Sequence, residues 1–327
     1  MSGDYILGTE NLKAYYETRH GYVKAVDNIS FLVKSNEIFG ICGESGCGKS
    51  TLMKVLYGII EPPLKFISGQ ISINIDGKEI SIQNTNVNEI KKLWWKDISY
   101  IPQSSMSVLN PTRKIEDQFI DIFKKWHKKI SRRKIRKLIR KNFDALGLPR
   151  EALSSYPHQL SGGMRQRIVI SMATIHNPKI VYADEPTTAL DVVVQRGILE
   201  VIKELQKKLN NTFVIVTHDM GIHYQLSHRI MVMYAGKICE IGETDDIFQN
   251  SAHPYTALLI ESLPRLGDKS ERKSIEGSPP SLLDPPKGCR FHTRCPYATQ
   301  ECAEKEPPLT EIWHDHYVAC FHPLKTK

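Results

Sequence analysis

The sequence predicts an α/β fold: a mainly parallel sheet, a small antiparallel β subdomain, an inserted helical subdomain and a small irregular C-terminal Cys-rich domain. Three observations carry this. An apolar strand, Ile38 to Cys42, runs into a glycine-rich stretch, Gly43 to Thr51, followed by a helix-like segment from Thr51 to Ile60. Short continuous apolar runs, Ile180–Ala183 and Phe213–Val216, alternate with helical periodicities, as buried parallel strands do. The pattern from Ser104 to Pro157 is helical and too long for a loop.

A chain of 327 residues suffices for two domains, here 1–250, with a helical subdomain at about 104–160, and 251–327. The 41% hydrophobic and 24% charged content is that of an ordinary soluble globular protein. Met1-Ser2-Gly3-Asp4-Tyr5 lacks the basic start and apolar run of a secretory signal. No stretch approaches the ~18 consecutive apolar residues of a membrane helix. These readings point to a cytosolic or peripheral protein.

The stretch Gly43-Glu44-Ser45-Gly46-Cys47-Gly48-Lys49-Ser50-Thr51 follows the pattern G-x-x-x-x-G-K-[ST]. Glycines let successive N–H groups turn toward a phosphate chain. In that pattern Lys49 reaches the outer phosphates and the Ser50 hydroxyl ligates Mg²⁺. The positive end of the following helix adds to anion binding.

Upstream, residues 5 to 35 read as paired strands turning at His20-Gly21, with Tyr15, Tyr16 and Tyr22 among them. An aromatic here can stack on a base, although strand aromatics more often pack on a sheet face. Ser68 to Gln83 alternates polar and apolar residues about Asp76-Gly77, a hairpin signal. Ile98–Ile101 is a further strand, ended by Pro102-Gln103. Lys124 to Lys141 holds 11 Lys or Arg and no acid, and Ile135, Leu138, Ile139, Phe143 and Leu146 recur at helical spacing. This is an amphipathic helix with a basic face, either simply solvated or suited to anionic headgroups, an acidic membrane partner or nucleic acid. Few aromatics interleave, which disfavours nucleic acid.

Ser161-Gly162-Gly163 opens a helix, a second anion-site pattern, over 110 residues after the first. Ile180–Ala183 delivers Asp184 and Glu185 at its C-terminal end, where ligands bind in open α/β sheets. Asp184 suits Mg²⁺, and Glu185 is placed to polarise an attacking water. Ala189-Leu190-Asp191 precedes a helix ending at Asn210-Asn211. His218 ends the strand Phe213–Val216, and Arg229 to Ile241 is a closing hairpin around Ala235-Gly236.

Taken in order, GESGCGKST, Gln103, LSGGM, VYADE, ALD and His218 resemble the ATP-binding subunit of an ABC transporter over about residues 5 to 250. The resemblance implies a P-loop ABC ATPase domain. It implies that Gln103 senses Mg²⁺ and the membrane partner, that Ser161, Gly162 and Gly163 bind the γ-phosphate of the opposite subunit's ATP, and that Asp191 links the halves. His218 then holds the γ-phosphate and Glu185 is the general base. The family's base-stacking aromatic best matches Tyr16, with Tyr15 and Tyr22 as alternatives. ATP binding closes a dimer of ATPase subunits, and hydrolysis reopens it. Met164 departs from the commonest signature, where many relatives carry Gln.

LSGGMRQR and His253-Pro254-Tyr255-Thr256 resemble the D-type ATPase subunit of dipeptide and oligopeptide importers. Such subunits pair with a paralogous F-type ATPase, or with themselves, and dock on two transmembrane permeases at the cytoplasmic face of the membrane. An extracellular solute-binding protein acts indirectly, and no nucleic acid is implied. The rival is a soluble ABC ATPase acting on ribosomes or DNA. Against it stand the single motif set and the short spacer between loop and signature.

The proline-rich tail is expected to bury little core and to need a staple. Cys289, Cys295, Cys302 and Cys320, at gaps of five, six and seventeen residues, can supply one. The thiolates suit an iron–sulfur cluster, a zinc ion or neither; close C-x-x-C pairs are absent, and cytosolic disulfides are rare. D-type relatives carry a similar four-Cys tail binding a [4Fe–4S] cluster, so the resemblance implies that cofactor. His292, His314, His316 and His322 are reserve ligands, whereas Cys42, Cys47 and Cys239 read as packing residues.

Overall fold

The computed structural model describes residues 5–103, 107–127, 129–188, 190–263 and 275–324. The expectations placed on Met1–Asp4, Ser104, Lys128 and Ala189 lie outside the described residues. In chain order the elements are β1 (Tyr5–Thr18), β2 (Gly21–Lys34), β3 (Ile38–Cys42), α1 (Lys49–Tyr57), β4 (Leu64–Ile75), β5 (Lys78–Ser81), α2 (Val87–Leu93) and β6 (Ile98–Ile101). Then come α3 (Ile115–Trp126), α4 (Arg132–Ala145), α5 (Gly162–Thr174), β7 (Ile180–Asp184), α6 (Val192–Leu209), β8 (Thr212–Val216) and α7 (Met220–Leu226). The chain ends with β9 (Arg229–Tyr234), β10 (Lys237–Glu243), α8 (Thr244–Gln249), α9 (Pro254–Glu261), α10 (Gln300–Glu304), β11 (Thr310–Trp313) and β12 (His316–Val318). Two compact units emerge: residues 1–85 with 216–327, and residues 86–215.

In the first unit, β2-β1-β4-β5 form one antiparallel sheet. The strands of residues 5–35 and the hairpin at 68–83 therefore belong together, joined by pairs such as Leu7↔Ile73. Asp76 and Gly77 both have positive φ, 50° and 77°, as a tight hairpin turn requires. A second run is ordered β11-β12-β10-β9-β3. Only β3 and β9 pair in parallel within it; the hairpins β9–β10 and β11–β12 and the β10–β12 pair are antiparallel. The expected mainly parallel sheet is thus mixed, because hairpins extend one edge. Helix α1 begins at Lys49 and stops at Gly58, whose left-handed φ of 83° terminates it before Ile60.

The tail departs from expectation. Tyr255 and Phe291 are buried with Cys42, Ile230, Val232, Tyr234 and Cys239 in one apolar cluster. Val318 on β12 is fully buried as well. Strand β12 pairs with β10, so the extension shares the core of its unit instead of hanging from it.

The second unit orders its strands β8-β7-β6, with β6 and β7 parallel. The basic run forms two helices, not one. Helix α3 ends at Trp126, and the Ser131 hydroxyl caps α4 by accepting from the Lys134 N–H. Ile135, Ile139 and Phe143 are buried, and Phe143 meets Phe119 edge-on at 5.7 Å. Leu138 lies a quarter turn off that stripe and is 39% exposed, correcting its expected place on the apolar face.

Candidate functional site

The phosphate loop sits between β3 and α1 and needs its glycines. Gly43 has φ 140°, and a Cβ there would lie 2.0 Å from the Met233 carbonyl oxygen. Gly48 has φ 106°, and a Cβ there would lie 1.9 Å from the Ala25 carbonyl oxygen. No other residue type fits these close backbone approaches. Lys49 is buried, with Nζ donating to the carbonyls of Gly43 at 2.7 Å and Glu44 at 2.9 Å. The Cys47 thiol is buried beside it, and that burial raises its pKa, so it stays protonated as a packing group. Cys42 and Cys239 are buried too, as expected of packing residues.

Of the three tyrosines, Tyr16 stands at the loop. Its hydroxyl is 3.1 Å from the Thr51 hydroxyl at the start of α1. Tyr15 donates to Asp27 at 2.6 Å, and burial followed by that bond pushes its phenol above the ordinary value. Tyr22 is 42% exposed and leans on Tyr15 at 6.1 Å. His218 is exposed in the turn after β8, and the neighbouring Asp219 caps α7 by accepting from the Gly221 and Ile222 N–H groups.

The second unit gathers the acids. Asp184, 2% exposed at the end of β7, accepts from the Tyr100 hydroxyl at 3.2 Å. Glu185 follows with φ 49°, a left-handed conformation unusual for Glu and typical of strained functional positions. Its Oε2 accepts from Gln103 Nε2 at 3.2 Å and from the Thr188 hydroxyl at 2.7 Å. The structure therefore brings Gln103 and Glu185 together and adds Tyr100 and Thr188, which sequence reasoning missed because nothing local marks them. Ser161 caps α5, accepting from the Met164 N–H at 3.3 Å, and Gly162 and Gly163 are its first residues. Asp191 caps α6 by accepting from the Val194 N–H at 2.9 Å. Beside Gly163, a Cβ would meet Val194 at 2.7 Å, so glycine lets the two helix starts approach.

In the first unit, Cys289, Cys295, Cys302 and Cys320 all line one cavity, with His253, His292 and His322. Burial pushes the Cys320 thiol up to about 11, and the other three cysteines add to it. No three His, Cys, Asp or Glu among the described residues are grouped to hold a single metal ion. Two reserve histidines lie elsewhere: His316 donates to buried Glu240 at 2.7 Å, and His314 lines a different cavity. No helix among the described residues is long and apolar enough to cross a membrane.

Comparison with known proteins places the chain in a family. Residues 26–188 fit the ABC transporter family model, and residues 239–302 fit the oligopeptide/dipeptide transporter C-terminal region. The chain is 42% identical to the dipeptide transport ATP-binding protein DppD of Bacillus subtilis, over 97% of this chain and 94% of that one. It is 38% identical to the oligopeptide transport ATP-binding protein OppD of Escherichia coli, over 99% and 95%. Among solved structures, a dimeric ATP-binding cassette in a post-hydrolysis state with ADP and phosphate superposes with a TM-score of 0.64 at 26% identity. It covers 73% of this chain and 99% of that one. The chain belongs to the ATP-binding proteins of the dipeptide and oligopeptide ABC transporter family, ATPases that hydrolyse ATP for transport.

Proposed function

We propose that this subunit powers uptake of dipeptides, oligopeptides or related solutes through two membrane permeases, from the cytoplasmic face of the membrane. One observation carries the reading: the match to the peptide-transporter family runs past the nucleotide module into the tail, over residues 239–302. Residues 1–250 act as the nucleotide-binding module and 251–327 as its extension.

ATP lies along Gly43–Thr51, with Tyr16 against the base and Lys49 on the outer phosphates. Ser50 and Asp184 hold Mg²⁺, with Gln103 beside it. Glu185 takes the proton of the attacking water, and the bonds from Gln103 and Thr188 fix its direction. His218 holds the γ-phosphate. Ser161, Gly162 and Gly163 complete the partner's site, and Asp191 joins the two halves. The partner in the closed pair is a paralogous F-type ATPase or a second copy of this chain; the dimeric cassette among the similar structures supports pairing.

The four tail thiols fit a [4Fe–4S] cluster. What supports this reading is that all four line one cavity, with zinc as the alternative occupant. Cys289, Cys295, Cys302 and Cys320 would hold such a cluster, which would supply iron–thiolate bonds cross-linking the tail. Anaerobic iron and acid-labile sulfide analysis tests this; zinc without sulfide sinks it.

The transport role is tested by affinity capture of Glu185→Gln in mild detergent with ATP, followed by mass spectrometry. Two permeases and a second ATPase are the expected partners. Ribosomal or DNA-repair proteins with no membrane subunit would overturn the reading.

A further inference from the structure

Glu44 is the first variable residue of the phosphate loop, and every polar group it has is held. Its carbonyl accepts from Lys49 Nζ at 2.9 Å and from the Cys47 N–H at 3.3 Å. Its N–H donates to the Tyr255 hydroxyl at 2.9 Å. Its carboxylate accepts a two-pronged bond from Arg294, at 2.8 Å and 3.1 Å. Tyr255 and Arg294 both belong to the C-terminal extension.

This is not a loose surface ion pair. The Arg294 side chain is 5% exposed. All five of its N–H donors are used: two on Glu44, one on the Tyr234 hydroxyl at 3.1 Å, one on the Ile275 carbonyl at 3.1 Å and one on the Glu276 carbonyl at 2.7 Å. A lysine, with three donors on a flexible stem, cannot reproduce that fork. Tyr255 is fully buried, its ring 4.7 Å from Tyr234 and 5.2 Å from Phe291, so its hydroxyl has a fixed position. Arg294 directly precedes Cys295, in the short turn His292–Arg294 of the tail.

We propose that Arg294 and Tyr255 are positioning residues for ATP: they clamp Glu44 from the C-terminal extension and so hold the phosphate loop and Lys49 ready for nucleotide. Holding a loop in its bound conformation raises affinity by removing an ordering cost. Because such coupling is reciprocal, nucleotide also fastens the extension to the loop. The inference rests on residues 43–51 binding ATP, and the test separates the two claims.

The experiment uses the full chain. A fluorescent ATP analogue with Mg²⁺ is titrated into wild type, Tyr255→Phe, Arg294→Lys, Glu44→Gln, the Arg294→Lys/Glu44→Gln double variant and Lys49→Ala. Tyr255→Phe and Arg294→Lys are expected to raise Kd about five- to tenfold, the scale of one lost hydrogen bond to an ordered group. The double variant should be no worse than the poorer single one, since both break the same contact. In hydrolysis assays KM for ATP should rise with kcat held, because Glu185 is untouched. Unchanged Kd in both Tyr255→Phe and Arg294→Lys, or a fall in kcat at constant KM, overturns the proposal. Should Arg294→Lys lose its fold, Tyr255→Phe and Glu44→Gln decide. Unchanged affinity in Lys49→Ala would instead overturn the nucleotide-site reading itself.

Discussion

Glu240 and His316 meet at 2.7 Å, Oε1 to Nε2, with neither side chain exposed to solvent. Glu240 lies on β10, and its carboxylate also accepts from the backbone N–H groups of Ala252, at 2.6 Å, and His253, at 3.0 Å. One buried acid therefore fastens both the start of α9 and the strand β12 to β10. Removing it leaves three donors without a partner. Glu240→Ala is expected to cost about 3–5 kcal/mol of stability, and Glu240→Gln less, because its amide keeps one of the two acceptor oxygens. Urea unfolding measures the loss. Limited proteolysis should show the C-terminal extension cut first.

The phosphate loop predicts a contrast between two glycines. At Gly43 a methyl group would strike the Met233 carbonyl oxygen at 2.0 Å, whereas at Gly46 nothing lies within 4 Å. Both have positive φ, so alanine is strained at either. Gly46→Ala should cost only the backbone strain, roughly 1–2 kcal/mol in an unfolding titration. Gly43→Ala must also move the loop, and should lower affinity for a fluorescent ATP analogue by at least about tenfold. Equal behaviour of the two variants would contradict this geometry.

Glu185 carries the hydrolytic prediction. Its carboxylate is oriented by Gln103 and Thr188, and glutamine in its place can keep such contacts but cannot accept a proton. Glu185→Gln should bind ATP as wild type does, while phosphate release falls by about 10²–10⁴-fold. Thr188→Ala, which frees one side of the carboxylate, should lower kcat by a smaller factor. An unchanged rate in Glu185→Gln would move the base elsewhere.

Stability should fall in mild acid through His223. Its ring is fully buried, with Nε2 3.2 Å from the Ile41 carbonyl and Nδ1 3.0 Å from the Ser227 hydroxyl. Burial lowers its pKa from 6.5 to about 4. Between those values the unfolded chain binds the proton and the folded chain does not. The contribution is therefore whole above pH 6.5 and is lost as pH falls toward 4, by roughly 2 kcal/mol at pH 5. In His223→Gln the loss of stability between pH 7 and pH 5 should shrink by about that amount. An identical pH profile in wild type and variant would rule out His223 as the cause.

Much of the proposed nucleotide site is legible in the chain because its chemistry is local. Gly43 to Thr51 lies between a strand and a helix, and Asp184 and Glu185 lie at a strand end; each needs only its neighbours in sequence. The tail is different. Its prolines and scattered cysteines suggest little core, yet Tyr255 and Phe291 are buried against Tyr234 and Ile230. Leu138 satisfies a helical spacing but sits at the edge of the buried stripe, which spacing alone does not resolve.

The sequence by itself determined the glycine-rich loop, its flanking strand and helix, the paired acids, the second helix-capping signature and the transporter family, since these are carried by contiguous residues with their own backbone requirements. Only the tertiary structure decided that the sheet is mixed, that Tyr16 is the tyrosine beside Thr51, that four distant cysteines share one cavity, and that Arg294 grips Glu44 across 250 positions of chain. The reason is physical. A hydrogen bond between residues so far apart leaves no period or spacing in the sequence, and it exists only once burial has brought the two segments together.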